Sequence, residues 1–185
     1  MPLAGPGEPA CRGRRSVVPP QSRFFVEVDA PEACPLSFGG DPEIVLFFAS
    51  WAFSVRFGGM HELAQAAMRL QRRHRIDLAP LLQYADRDAA DAAGRAELER
   101  AWQDPEPLAA CCRAIAAAWE SGDEELDALT AGYEGLPPRM RELASICDWA
   151  ATRAARVRLS FDLRTDERRA ERPADPPGAL PPRRG

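Results

Sequence analysis

The sequence contains no lysine and no asparagine, and all 24 of its basic residues are arginine. Both missing residues have A-rich codons, so their absence favours a GC-rich, prokaryotic genome. Histidine is also scarce, since His61 and His74 are the only two. The chain has neither a Cys-x-x-Cys nor a His-Glu-x-x-His spacing, which protein metal centres commonly use. We therefore expect no metal ion and no cofactor.

Motifs for nucleophilic catalysis and for phosphate binding are missing too. The chain contains no G-x-S-x-G, no G-x-x-x-x-G-K-[ST] and no G-x-G-x-x-G sequence. Gly39-Gly40-Asp41 indicates a turn and no more. We name no catalytic residue and expect a protein that is not an enzyme.

No long hydrophobic run is present. The most apolar stretch, Ile44–Val55, has 12 uncharged residues, fewer than the ~20 that a membrane helix needs. Residues 1–23 contain arginines but no apolar segment typical of a signal peptide. We expect a cytoplasmic protein that has no membrane partner.

Five cysteines are an odd number, and two of them are adjacent. Free thiols in a reducing compartment are the natural interpretation. Cys111, Cys112 and Cys147 fall on predicted helices and are expected to be buried and inert. Cys34 falls in a predicted loop and is expected to be more exposed.

Charge is spread unevenly along the chain, whose net charge is −4. Residues 24–163 carry −9, residues 1–23 carry +3 and residues 164–185 carry +2. An acidic central region argues against nucleic acid as a partner. The ends, residues 1–22 and 164–185, are rich in proline and arginine, so we expect disorder there and a single domain over residues 23–163.

The strongest helical patterns lie between residues 104 and 156. Apolar residues recur at helical spacing at Leu108, Cys111, Cys112, Ile115, Ala118 and Trp119. Asp104 is predicted to cap this helix, Asp123 to cap a second one, and a third is predicted to begin at Leu136. We expect the first and third helices to lie side by side, with Trp119 and Trp149 as bulky contacts between them.

The earlier part of the chain is harder to interpret. Ile44–Phe48 is compatible with a buried strand or with the start of a buried helix, and its periodicity does not decide between them. Helices are predicted over residues 60–75, after an Asp77 cap, and over residues 89–102.

Two short segments predict strands. Val157–Leu163 alternates apolar and polar residues, and Phe24–Val28 is a suitable partner for it. We therefore predict a mainly α (α+β) fold. It has a bundle-like core, mostly helical from residue 59 to 156, and a small β element formed by N-terminal and C-terminal strands.

One short stretch resembles a known family. Ile44–Trp51 looks like the strand that precedes the redox site of thioredoxin-like proteins. Ala52–Val55 stand where that family has Cys-x-x-Cys, so the resemblance implies at most a relative without redox activity.

The favoured function is a non-enzymatic helical interaction module, such as an adaptor, assembly factor, chaperone-like protein or regulatory subunit, whose partner is another protein or a second copy. A candidate surface consists of the acidic residues Glu97, Glu99, Asp104, Glu106, Asp123, Glu124, Glu125 and Asp127. It would suit a basic partner or the arginine-rich ends of the chain itself, although solvated helical faces also explain such acids. Candidate exposed aromatic residues are Trp51, Phe53, Phe57 and Trp102.

The alternative function is binding or conversion of a small molecule. Its pocket would lie between helices and would be lined by Trp102, Trp119, Trp149 and Tyr84. Convergence of these side chains on one cavity would favour this second hypothesis.

Overall fold

The structure is a computed structural model that describes residues 22–88 and 90–163. Its helices are α1 (Glu43–Ser54), α2 (Glu62–Arg72), α3 (Ala92–Arg100), α4 (Pro105–Trp119), α5 (Glu124–Thr130) and α6 (Leu136–Ala151), with a 3-10 turn at Val55–Phe57. Its strands are β1 (Ser22–Val28), β2 (Tyr84–Asp86), β3 (Trp102–Gln103) and β4 (Val157–Leu163). The fold is thus mainly helical α+β, as predicted.

Helix starts follow the capping residues in the sequence. Asp91 and Asp123 accept hydrogen bonds from the backbone N–H groups at the starts of α3 and α5. Asp104 precedes α4 but makes no such hydrogen bond. The reason is local, because Pro107 occupies the third helical position, where an N-cap side chain usually finds its N–H donor. Asp104 thus occupies the predicted N-cap position of α4, but its side chain makes no capping hydrogen bond.

Helices α4 and α6 lie side by side in the centre of the core, as predicted. Their buried residues include small side chains such as Cys112, Ala144 and Cys147. The two tryptophans do not form the contact expected of them. Trp119 meets Phe48 of α1 at 5.8 Å between ring centroids, and Trp149 lies half-buried on α6.

Residues 44–103 required the most correction. Ile44–Phe48 is helical and belongs to α1, so its likeness to a thioredoxin-type strand does not extend to the structure. The residues after Asp77 form turns instead of a helix, since Asp77 Oδ1 accepts a hydrogen bond from the N–H of Ala79 at 2.9 Å. The helix predicted over residues 89–102 covers only α3, and Trp102 belongs to a strand.

Strand β4 is the centre of the sheet. It pairs with β1, as predicted, and the two strands are antiparallel, with Val28 opposite Val157 and Phe24 opposite Phe161. On its other side it pairs with parallel β2 and antiparallel β3. The inner face of the sheet contributes Val157 and Leu159 to the core, while the outer face lies toward α3.

The predictions of disordered ends fall on residues outside the described part of the chain, apart from Ser22 at the start of β1.

Candidate interaction surfaces

The chain bends sharply between α1 and α2. The 3-10 turn ends at Gly58, whose φ of +77° is easily adopted by glycine. The next residue, Gly59, approaches Ser54 so closely that a Cβ would lie 2.4 Å from the Ser54 Oγ. The axes of the two helical segments meet at 78°. We call this region, residues 47–62 together with Tyr133, the α1–α2 corner.

Large apolar side chains are exposed at this corner. Phe57 is 79% exposed, Met60 is 83% exposed and Phe53 is 38% exposed. The rings of Phe53 and Phe57 are 6.0 Å apart, and the Arg56 guanidinium lies 5.0 Å from the centre of the Phe53 ring. Leu36, 43% exposed, is the other large apolar residue of the described chain with comparable exposure.

The same corner contains a cluster of packed aromatic rings. The rings of Trp51 and His61 are stacked, with centroids 4.0 Å apart and planes 7° apart. Phe47 makes edge or tilted contacts with Trp51, His61 and Tyr133, and Tyr133 also contacts His61. Such contacts fix ring orientations and add stability beyond the area they bury.

His61 also determines how α2 begins. Its Nδ1 accepts a hydrogen bond from the N–H of Leu63 at 3.1 Å, so the neutral imidazole carries its proton on Nε2. The neighbouring Tyr133 is buried, and this burial, followed by the negative charge of Glu62, raises the pKa of its hydroxyl. The Tyr133 hydroxyl therefore stays protonated at ordinary pH.

The structure brings together three of the four aromatic residues predicted to be exposed. Trp51, Phe53 and Phe57 lie in the α1–α2 corner, although Trp51 is half-buried. Trp102 lies elsewhere, on the outer face of the sheet, with the Arg158 guanidinium 4.4 Å from its ring centre. The exposure of Met60 was not predicted from the sequence. Gly58-Gly59 was the available signal, because a break in a helix leaves the side chains next to it without a neighbouring helical turn to pack against.

The outer face of the sheet holds a buried polar network. Glu27 on β1 accepts hydrogen bonds from Arg158 Nε at 2.9 Å and from Ser160 Oγ at 3.0 Å. Burial raises the pKa of the Glu27 carboxyl, but the hydrogen bonds from Arg158 and Ser160, together with the positive charges of Arg158 and Arg87, outweigh burial and leave that pKa below its usual value. Arg158 also reaches Glu99 of α3 at 3.3 Å. These polar groups satisfy one another.

The predicted acidic surface is divided among three places. Glu97 and Glu99 lie on α3, Asp104 and Glu106 at the start of α4, and Asp123, Glu124, Glu125 and Asp127 at or on α5. Helix α4 has 15 residues and is about 22 Å long, which separates the second group from the third. Several of these acids already have partners within the chain.

Asp123 has two side-chain partners, one of them an arginine and the other a histidine. Arg69 of α2 contacts its carboxylate at 2.7 Å, and His74 Nε2 lies 3.0 Å from it. The hydrogen bond from Arg69 is the largest cause that holds the pKa of Asp123 well below its usual value. A surface cavity of about 510 Å³ adjoins these three residues and Arg73. The Asp123 carboxylate already pairs with Arg69 and His74. We therefore interpret this cluster as a structural contact that joins the α2 region to α5.

The four residues of the predicted small-molecule pocket are not neighbours. Trp102 lies beside Arg158, Tyr84 beside Phe161, and Trp149 beneath Arg153. Trp119 alone borders one of the cavities, at the opposite end of α4 from Trp102.

The helical cysteines are buried, as predicted, and Cys34 is half-buried. Burial raises the pKa of Cys111 and of Cys147 to about 12 and raises that of Cys112 as well. Thiols with such pKa values stay protonated and are poor nucleophiles.

Residues 22–88 and 90–163 contain no group of three or more His, Cys, Asp or Glu side chains arranged to hold a metal ion. Within the same residues no single helix is long and apolar enough to cross a membrane. Only the bent pair formed by α1 with its 3-10 turn and α2 meets those criteria, and only jointly. No protein-family model, no curated protein and no solved structure matches this chain.

Proposed function

We propose that this protein is a non-enzymatic interaction module that docks another protein through the α1–α2 corner. The observation that carries the proposal is the exposure of three large apolar side chains, Phe53, Phe57 and Met60, in a stretch of eight residues that contains a sharp bend. Contiguous exposed apolar groups of this kind commonly mark interaction sites. The buried, protonated cysteines suit the reducing cytoplasm that we propose as its location.

The corner has the organisation of a binding hot spot. Burying Phe57 and Met60 in a partner would contribute about 3–4 kcal/mol, which is of the order of a millimolar affinity before the cost of association. These two side chains therefore do not make a complete interface, and we expect further contacts around them. The stacked Trp51 and His61 help by holding the bend in a fixed conformation, which lowers the entropy lost on binding.

The test uses the full-length protein purified from its own host and analysed by native mass spectrometry. We expect the wild-type protein to carry a second chain, either a different protein or another copy. In the Phe57→Ser/Met60→Ser variant the affinity for that second chain should fall at least tenfold, because truncation of central hot-spot residues has effects of this size. Leu36→Ser is the matched control, since it removes an exposed apolar side chain away from the corner.

Retention of the partner by the double variant would contradict the assignment of the corner. Loss of the partner from both variants alike would show a general effect of surface hydrophobicity. A monomer that carries a small molecule in all three samples would favour the ligand-binding alternative.

A further inference from the structure

Strand β1 forms a long edge of the sheet. It is hydrogen-bonded to β4 on one side, and among the described residues no strand lies on its other side. At the opposite edge β2 has three residues and β3 has two, whereas β1 has seven. Short edge strands discourage pairing with another chain, and β1 lacks this protection. It also contains no proline or glycine that would interrupt a new ladder.

The pairing with β4 shows which backbone groups of β1 point outward. The N–H of Asp29 donates to the carbonyl of Arg156 at 2.9 Å, which continues the register between β1 and β4. Backbone groups alternate in direction along a strand. Those that point away from β4 therefore belong to every second residue, namely Phe24, Val26 and Val28. These groups make no hydrogen bond within residues 22–88 and 90–163, so the edge presents free donors and acceptors.

The apolar side chains at this edge are incompletely covered. Val26 and Val28 lie on the core side of the sheet but are only half-buried. The residues opposite them on β4, Leu159 and Val157, are 1% and 0% exposed. Strand β4 has neighbours on both sides, whereas β1 has one on a single side. A strand added to β1 would therefore cover apolar surface and also satisfy backbone groups.

We propose that β1 pairs antiparallel with β1 of a second copy of this chain, so that the sheet continues across a two-fold axis. The register that overlaps all seven residues places Phe25 opposite Phe25 of the second copy and Phe24 opposite its Val26. Phe24 and Val26 are both outward-pointing, as the hydrogen-bonded pairs of an antiparallel ladder require. The new ladder would contain about eight backbone hydrogen bonds.

The charges of β1 suit pairing with itself. Arg23 and Glu27 lie on the outer face, two residues before and two residues after Phe25, so each Arg23 is opposite Glu27 of the other copy. Both fall at non-hydrogen-bonded positions, where opposite side chains come closest and opposite charges are stabilising. Arg23 is exposed and forms no ion pair within the described residues. Glu27 is 27% exposed. This self-complementarity is what a two-fold interface requires.

The first test measures the dimer dissociation constant of the full-length protein by sedimentation velocity over a range of concentrations. Arg23→Glu places a negative charge opposite Glu27 of the second copy. We expect the dissociation constant to rise at least about tenfold, because both cross-strand pairs change from attraction to repulsion. Arg72→Glu is the matched control. It makes the same charge change at an exposed residue of α2 and should leave the dissociation constant unchanged.

The second test determines the register with engineered cysteines in a Cys11→Ser/Cys34→Ser background. Phe25→Cys places two cysteines opposite each other, where a disulfide with a Cα separation of about 4.4–6.8 Å can form. Arg23→Cys places its two cysteines four residues apart along the paired strands, or about 13 Å. Mild oxidation should therefore yield a covalent dimer of Phe25→Cys only. Random collisions would favour Arg23→Cys instead, because position 23 is the more exposed.

Several outcomes would overturn the proposal. A protein that stays monomeric at every concentration has no such interface. An equal rise in the dissociation constant of Arg72→Glu shows a general charge effect, and a disulfide that forms as readily in Arg23→Cys shows that the register is wrong. Binding of a different protein that is lost in Arg23→Glu would assign the edge to that protein.

The interface at β1 involves no residue of the α1–α2 corner, so the inference goes beyond the proposed function and does not rest on it. Phe57→Ser/Met60→Ser should keep the wild-type dimer dissociation constant, and the two proposals therefore succeed or fail separately. A dimer that is lost in this double variant and retained in Arg23→Glu would place the second copy at the corner and overturn the pairing of β1.

Discussion

The outer face of the sheet and the α1–α2 corner both combine aromatic and polar side chains, but they differ in how completely those groups are satisfied. On the sheet, Glu27, Arg158 and Ser160 bond to one another, and the Arg158 guanidinium covers Trp102. At the corner, Phe57 and Met60 contact solvent. The comparison teaches that a large apolar side chain in this protein marks a candidate site only where it stays exposed, as Phe57 and Met60 do.

The sheet network should show the largest response to mutation. Glu27→Ala removes the carboxylate that faces Arg158, whose side chain is only 13% exposed. Removing one partner of a fully buried ion pair costs about 3–5 kcal/mol. Because Glu27 is itself 27% exposed, we expect a smaller loss of about 2 kcal/mol in the free energy of unfolding, measured with urea.

Glu99→Ala is the matched control for this prediction. Glu99 pairs with the same arginine, but its side chain is 73% exposed, and exposed pairs contribute about 0–1 kcal/mol. Equal losses in the two variants would contradict the view that the network on the sheet is structural.

The corner should respond to mutation of His61, with a smaller effect on stability. His61→Ala removes both the N-terminal cap of α2 and the stack on Trp51. We expect a loss of about 1.5 kcal/mol in unfolding free energy, with about 1 kcal/mol from the cap and the rest from the stack. His61→Asn keeps a capping side chain and should lose only about 0.5 kcal/mol. Equal losses of unfolding free energy in His61→Asn and His61→Ala would mean that the stack on Trp51, and not the cap of α2, accounts for the contribution of His61.

The sequence predicted the elements whose signals are local. The α4 and α6 faces repeat apolar residues at helical spacing, and Val157–Leu163 alternates so clearly that its pairing with β1 was predicted as well. Tyr84–Asp86 and Trp102–Gln103 carry no such signal, because they are strands only by virtue of pairing with β4. Likewise, Ile44–Phe48 has strand-like composition, yet it forms the start of α1, where the Asp41 Oδ1 accepts a hydrogen bond from the N–H of Glu43 at 2.9 Å.

The candidate surfaces were partly predictable for the same reason. Trp51, Phe53 and Phe57 precede a Gly-Gly break, and the break is visible in the sequence. The covering of Trp102 by Arg158 depends on the register between β3 and β4, which places the two residues opposite each other. That register is a property of the assembled sheet. The separation of the predicted acidic residues by the length of α4 is likewise a property of the folded chain.

The smallest expected effect is a difference in pH dependence between the two regions. Glu27 has a lowered pKa in the folded protein. Its contribution to stability is therefore complete above the ordinary glutamate value of 4.5 and is lost as the pH falls through the folded value. Glu27→Gln removes this titration, so its deficit relative to wild type should shrink between pH 6 and pH 3 in urea unfolding. Phe57→Ser at the corner removes no titratable group. The difference in unfolding free energy between this variant and wild type should therefore stay constant with pH over the same range. A deficit for Glu27→Gln that stayed constant with pH would mean that Arg158 and Ser160 hold the Glu27 side chain without depending on its charge.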